Sequence, residues 1–230
     1  DIIRASALDR MAAFPETNTL IAIVRALKNE SSHIRVGAIH GAVGIAGGER
    51  WRILAPLLSD PVLSVRSETA LALVPLWKEL AKAQKELLQP ALEDYMGIQD
   101  FNADRGYAHV NKGNVFARQG KLPQAEAAYK TSIRIEENFI NAYIHMAELY
   151  RQQQNNHAGI DVLQKGLALK PDSGDLAYSL GLVYIRTKQS SKAVEQFKQA
   201  ITKSPDNAQY AYVYGLSIES IQPNKGLTAL

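Results

Sequence analysis

The stretch "DPVLSVRSETALAL" (Asp60–Leu73) sets an Asp-Pro turn ahead of a Val-Arg pair and an Ala/Leu-rich run. Thirty-one residues earlier, "NESSHIRVGAIHGAV" (Asn29–Val43) lays Ile34-Arg35 beside Val65-Arg66 and Ala42 beside Leu73. Another 31 residues back, Ile3-Arg4 falls in the same column, so Arg4, Arg35 and Arg66 are evenly spaced and the chain is expected to begin inside a repeat. Within two copies, Ile34, Ala38, Ala42 and Ile45, and then Val65, Thr69, Leu73 and Leu76, recur every three or four positions. That is the spacing of one buried helix face. A shorter helix is predicted before each, over Thr19–Lys28 and Arg50–Ser59, with breaks at Gly47-Gly48 and Asp60-Pro61. The unit is therefore a helix pair, repeated.

From about Gly106 the period becomes 34. Gly113, Ala147, Gly181 and Gly215 form one column, with Phe116, Tyr150, Tyr184 and Ile218 three residues on. Ala125, Gly159 and Ala193 form another, continued by Leu227, and Tyr129, Leu163 and Phe197 a third. A small residue lets paired helices approach closely, and a large one beside it fills the gap. Pro171 and Pro205 close two units, since proline lacks the amide hydrogen that a helix interior needs. Glu137 stands in the proline column of the first unit. The fourth unit, from about Ala208 to Leu230, does not complete its second helix, so a fragment of a longer protein is expected.

Between the arrays, Leu80, Leu87, Leu88, Leu92, Tyr95 and Met96 form an apolar face interrupted by Pro90, which is expected to kink a helix or start one. The short stretch Asp100–Arg105 is the linker candidate. The organisation read from the sequence is thus residues 1–80, a connecting segment 81–105, and 106–230 with three full units and a truncated fourth.

The 31-residue pairs resemble the short form of HEAT repeats, in which an Asp or Asn opens the turn and an Arg six residues later starts the second helix, as in Asn29/Arg35 and Asp60/Arg66. The 34-residue columns resemble tetratricopeptide (TPR) repeats. Together they imply an all-α solenoid, a right-handed superhelix of helix-turn-helix repeats with a short HEAT-like array followed by a TPR array. The order of the arrays, with the run from Asp100 to Ile135 and the closing "NAQYAYVYGLSIES" (Asn207–Ser220), also resembles the C-terminal part of large bacterial TPR proteins that carry multihaem cytochrome c segments upstream. That resemblance implies export to the periplasm, with haem ligands outside these residues.

Composition narrows the chemistry. Basic and acidic residues number 26 and 23, with no dense basic block, so nucleic acid is not an expected partner. There is no cysteine, which excludes disulfides, thiol catalysis, zinc-thiolate sites and covalent haem attachment within this stretch. No apolar run reaches about 18 residues, so no membrane insertion is expected. With no P-loop, nucleophile elbow or HExxH pattern, no catalytic residue is assigned and the chain is read as a non-enzyme without a cofactor. His33 and His40 lie two helical turns apart, but no carboxylate is read as completing a ligand set, and His109, His145 and His157 are dispersed. "GIAGGER" lacks the strand and lysine of a phosphate loop and reads as a helix stop. Arg35 and Arg66 are read as a structural ladder to the Asn or Asp of their own or adjacent turns, with Arg50 of lesser weight. Trp51 and Trp77 are read as packing residues.

In TPR proteins the first helix of each unit lines the concave face. Carried over column by column, this selects Val110, Ile144, Tyr178 and Tyr212 as one row and Asn114, Glu148, Leu182 and Leu216 as the next. Asn111 and His145 flank them, and Arg118, Arg151 and Arg186 extend the rim. Some TPR proteins clamp a chaperone's C-terminal carboxylate with two Lys, two Asn and one Arg. Here only Asn114 matches, with Val110, His145, Asp175 and Ser179 in the other places. The expected function is a non-catalytic scaffold that binds a protein or peptide through this face. The rival expectation is an accessory repeat region of a periplasmic multihaem redox protein. The sequence leaves the oligomeric state open.

Overall fold

The computed structural model describes residues 1–221, which contain thirteen α-helices and no strand. The expected second helix of the fourth 34-residue unit, with Leu227, lies outside the described residues. The chain divides into two compact units, residues 1–102 with 118–121, and 103–117 with the residues from 122 onward.

In the first unit, α1 (Ile2–Arg10), α3 (Ser32–Gly41) and α5 (Leu63–Leu73) are the repeated second helices, and α2 (Thr17–Ala26) and α4 (Gly47–Leu54) the first ones. Helix α1 packs on α3, α3 on α5, and α5 on α6 (Lys82–Phe101). The helical faces read from spacing are the core: Ile34, Ala38 and Ala42, and Val65, Thr69 and Leu73, are at most 1% exposed. Thr69 sits there because its hydroxyl donates to the Val65 carbonyl at 2.7 Å, so burial strands no polar group.

The arginine column does the predicted structural work. Arg35 Nη2 donates to Asp60 Oδ1 at 2.9 Å, and its Nε lies 2.9 Å from Oδ2, off the hydrogen-bonding direction. Its Nη1 donates to the Asn29 and Glu30 carbonyls at 2.7 and 2.9 Å. One repeat on, Arg66 Nη1 donates to the Asp60 carbonyl at 2.8 Å and Nε to Asp94 Oδ2 on α6 at 2.6 Å. Each guanidinium thus covers the turn before its own helix and reaches forward to the next helical layer. Asn29 and Asp60 hold the turns themselves, accepting from the amides of Ser31 (3.0 Å) and Val62 (2.9 Å).

Four details depart from expectation. Arg50 is no bystander: its guanidinium donates to the Ile45 carbonyl at 3.0 and 3.2 Å and to that of Ala72 at 3.4 Å, satisfying backbone oxygens that a helix end leaves open. Gly47 and Gly48 begin α4 instead of stopping a helix; the stop is the 3₁₀ turn Ala42–Gly44. Helix α6 runs unbroken through Pro90, where both Pro90 and Glu86 are exposed, so the carbonyl freed by the missing amide faces water. Its buried stripe is Leu88, Ala91, Leu92 and Tyr95, while Leu87 is exposed. The linker candidate Asp100–Arg105 begins inside α6, whose last residue is Phe101.

The second unit consists of α7 (Gly106–Arg118, its last residue grouped with the first unit), α8 (Leu122–Ile135), α9 (Ile140–Gln152), α10 (Asn156–Leu169), α11 (Gly174–Arg186), α12 (Ser190–Lys203) and α13 (Ala208–Ile221). Its columns are pairs matched in volume. A Cβ at Gly113 would lie 2.4 Å from the Tyr129 ring, and one at Gly181 would lie 2.5 Å from the Phe197 ring. Between them, Ala147 shares a buried cluster with the smaller Leu163. Helices α8, α10 and α12 all end two residues before Glu137, Pro171 and Pro205, so the stop does not require proline. The turns inside the pairs contain Gly120, Gln154 and Lys188, again 34 apart, with φ of +77°, +59° and +58°. Only the first is a residue for which this backbone carries no steric cost.

Two outcomes follow for equilibrium unfolding. Arg35→Ala, which strands the nearly buried Asp60 carboxylate, is expected to cost about 3 kcal/mol, and Arg66→Ala, at a more exposed pair, about 1–3 kcal/mol. Arg52→Ala, at a surface pair with Glu49, should leave denaturant midpoints almost unchanged. In the second unit, Gly181→Ala should destabilise by about 1–3 kcal/mol through overpacking against Phe197. Adding Phe197→Leu, which recreates the Ala147/Leu163 pairing, should recover part of that loss; simple additivity would show that volume matching is not what sets the column.

Candidate functional site

The candidate residues lie on the first helices of the 34-residue units. On α7, Asn111 and Asn114 are half-buried and Arg118 is exposed. Asn114 Oδ1 accepts from the Tyr129 hydroxyl at 2.8 Å, and His145 of α9 stacks on the same ring, centroids 6.1 Å apart and planes 19° apart. Tyr129 thereby ties Asn114 and His145 to the column that spaces α7 from α8.

Further along α9, Glu148 and Arg151 form a fork-to-fork pair. Arg151 Nε donates to Oε2 at 2.7 Å and Nη2 to Oε1. The hydrogen bond from Arg151 holds the Glu148 carboxyl below its ordinary range; partial burial opposes this, and the Arg186 charge adds to the lowering. Arg186, at the end of α11, has its guanidinium pKa lowered by burial and then by the like charge of Arg151. Arg186 has no hydrogen-bonding partner among the described residues.

The aromatic row is divided. Val110 is 4% exposed in a cluster with Ala142 and Met146 of the next first helix. Tyr178 is half-buried, stacked on Tyr210 of α13 at 4.7 Å and tilted against Phe197 at 5.8 Å, and its hydroxyl accepts from Gln209 at 2.9 Å. Each of these is covered by the first helix that follows it. Tyr212, in the same column, is 62% exposed, and Leu216 beside it is 52% exposed. Tyr210 was not legible as a partner of Tyr178 because the two are 32 apart, outside the column. Its hydroxyl also donates to Asp175, and burial followed by that carboxylate pushes its pKa up.

Elsewhere, Tyr150 donates to Glu126 at 3.1 Å and is pushed up to about 12, by burial first and then by that carboxylate. In the first unit, two carboxylates stand beside His40. Glu68 Oε2 is 3.0 Å from Nε2 and Asp9 Oδ1 is 3.7 Å from Nδ1. Among the described residues no group of three or more His, Asp or Glu is placed to hold a metal ion. No described helix is long and apolar enough to cross a membrane.

Residues 145–208 match the family model described as "Tetratricopeptide repeat". These residues, which span α10 and α11 with parts of their neighbours in the second unit, are thus similar to tetratricopeptide repeats. A crystal structure of MamA superposes with a TM-score of 0.51 at 19% identity, covering 65% of this chain and 91% of that one, a likeness of fold. Protein O-mannosyl-transferase TMTC3 of Homo sapiens is 24% identical over 170 residues, 66% of this chain and 19% of that protein. The peroxisomal targeting signal receptor of Debaryomyces hansenii is 32% identical over 92 residues, 40% of this chain and 15% of that receptor. The chain spans less than a fifth of the length of either protein.

The Glu148–Arg151 pair predicts a pH signature. A carboxyl with a depressed folded pKa contributes stability above its unfolded value and loses it as pH falls through the folded one. Both side chains are near half exposure, so the contribution should stay below about 1 kcal/mol. Carbon-detected NMR titration should find Glu148 ionising below an ordinary glutamate, and Arg151→Ala should move it back up.

Proposed function

We propose that the chain is a non-catalytic protein-interaction scaffold and that the first-helix face of its TPR array receives a peptide or protein partner. One observation carries the reading. The packing columns, at 34-residue intervals, are consumed by the core, while Glu148, Arg151, Arg186, Tyr212 and Leu216 are exposed on the first helices α9, α11 and α13. Such a surface offers aromatic and apolar contact area beside polar groups that fix register, the composition of binding hot spots. Asn111, Asn114, Arg118, His145 and Tyr178 form its half-buried floor and its edge. The peroxisomal receptor among the similar proteins is, by its name, a receptor for a targeting signal, which is consistent with this reading. The finer reading of the 31-residue pairs as HEAT-like rests on the Asn29/Arg35 and Asp60/Arg66 pattern. The multihaem alternative rests on sequence resemblance alone.

The test is partner capture followed by quantitative binding. Tyr212→Ala combined with Leu216→Ala should weaken the captured partner by about 2 kcal/mol or more, a hot-spot magnitude, with the melting temperature nearly unchanged because both side chains face solvent. Tyr178→Ala, by contrast, should lower the melting temperature, because its ring is stacked on Tyr210. Undiminished binding by the folded Tyr212/Leu216 variant would remove this face from consideration.

A further inference from the structure

The second helices of the first unit carry an open face on which two grooves meet. One, of about 480 Å³, crosses α1, α3 and α5 past Asp9, His40 and Glu68. The other, of about 730 Å³, runs between α5 and α6, lined by Leu63, Pro90, Ile98 and Phe101 with Glu93 and Asp94 on its wall. They adjoin at the first turn of α5, where Leu63 lines the second groove and Ser64 the first. Helix α5 packs against both α3 and α6, yet Leu63 is 44% and Phe101 90% exposed. Along α6, Leu87, Pro90, Ile98 and Phe101 fall at i, i+3, i+11 and i+14, a single stripe apart from the buried Leu88, Ala91, Leu92 and Tyr95. A helix with two apolar stripes has room for one more partner than the stack supplies. The charge of the face is one-sided. Four carboxylates line the two grooves and no Lys or Arg does, in a chain with 26 basic residues against 23 acidic. Arg66 engages Asp94, and the ring of His40 is shared between Glu68 at 3.0 Å and Asp9 at 3.7 Å. Glu93 accepts only from the Gln89 amide.

We infer that this face binds a basic amphipathic helix of a protein partner, its apolar residues on Leu63, Ile98 and Phe101 and its Lys or Arg side chains toward Glu93 and Glu68. A helix fits because the groove between two packed helices receives the side-chain ridge of a third. From Pro90 to Phe101 the stripe rises roughly 16 Å, the length of about three helical turns. The partner's cations meet the carboxylates that no Lys or Arg of this chain covers, and its apolar residues take the exposed Phe101 ring out of water. The site lies within the first unit alone and uses none of the first-helix residues assigned above to partner binding, so the two surfaces can be tested separately.

The experiment uses the full 230-residue chain and a fluorescein-labelled peptide of about four helical turns, with Leu along one face and Lys along the other, read by fluorescence anisotropy. Control peptides replace every Lys by Glu or every Leu by Ala. The Lys/Leu peptide should bind and gain helicity by circular dichroism, both controls should bind far more weakly, and affinity should fall as salt is raised. Glu93→Lys and Phe101→Ala should each weaken binding about tenfold or more, with the melting temperature unchanged because both side chains are exposed. Glu195→Lys, at an exposed acid of α12, and Tyr212→Ala should leave it as it was. Several results would overturn the inference: no binding, binding without gain of helicity, indifference to Phe101→Ala, or a loss with Glu195→Lys equal to that with Glu93→Lys, which would show bulk charge alone. Sedimentation showing a dimer of the free chain that Phe101→Ala dissociates would assign the face to a second copy instead. Loss of the peptide with Tyr212→Ala but not with Phe101→Ala would move it to the first-helix surface, leaving the scaffold reading intact and this one refuted.

Discussion

Close approach of helices at small residues, within a pair in the second unit and between successive second helices in the first, is the constraint on which both units depend. In the second unit the approach is against a side chain, Gly113 under Tyr129 and Gly181 under Phe197. In the first unit it is against backbone. Cβ atoms at Gly37, Gly41 and Gly44 would lie 2.5, 2.3 and 2.1 Å from backbone oxygens of Ala5, Leu8 and Ala12. Dense interiors tolerate neither the added volume nor the gap left by removing a matched partner. The two arrays solve one packing problem with different partners. A ring can move a few tenths of an ångström, whereas a carbonyl in a helix cannot move without the helix.

Repetition gives this constraint its reach. Because each repeat meets mainly its neighbours, a local pairing rule propagates along the stack. In the first unit, that propagation is reinforced by polar links. Arg35 joins its own turn to Asp60 of the next, and Arg66 joins Asp60's carbonyl to Asp94 on α6, a helix outside the 31-residue period. The ladder thereby continues across the point where the repeat itself ends. In the second unit, Ser173 and Asn155 cap α11 and α10 with their side chains, and buried large residues fill the space beside the small ones.

The proposed binding surface follows from the same rule. Side chains that space the helices are buried and cannot contact a partner. Those one turn away on the first helices are free to vary without disturbing the stack, and they hold the Glu148–Arg151 pair, Arg186 and the exposed apolar residues of α13. Tyr178 lies on the boundary between the two roles: its ring is stacked on Tyr210 while it remains half-buried at the face.

The sequence by itself determined the helices, their pairing and the core. Periods of 31 and 34 with a three-to-four spacing admit one buried face per helix, and Ile34, Ala38, Val65, Thr69, Gly113 and Phe197 lie where that periodicity puts them. It also located the arginine ladder, because Arg35 and Asp60 occupy fixed places in a repeated motif. Tertiary structure decided whatever depends on contacts that break the period. Tyr210 meets Tyr178 at a separation of 32, Arg50 reaches the Ala72 carbonyl across 22 residues, and His40 is set between Asp9 and Glu68 by the packing of three helices. It also decided which members of a column are exposed, since Val110 and Tyr212 share a register, yet Val110 is packed with Ala142 and Met146 while Tyr212 is 62% exposed. A period in sequence specifies equivalent positions, while exposure depends on the neighbour that each position happens to have.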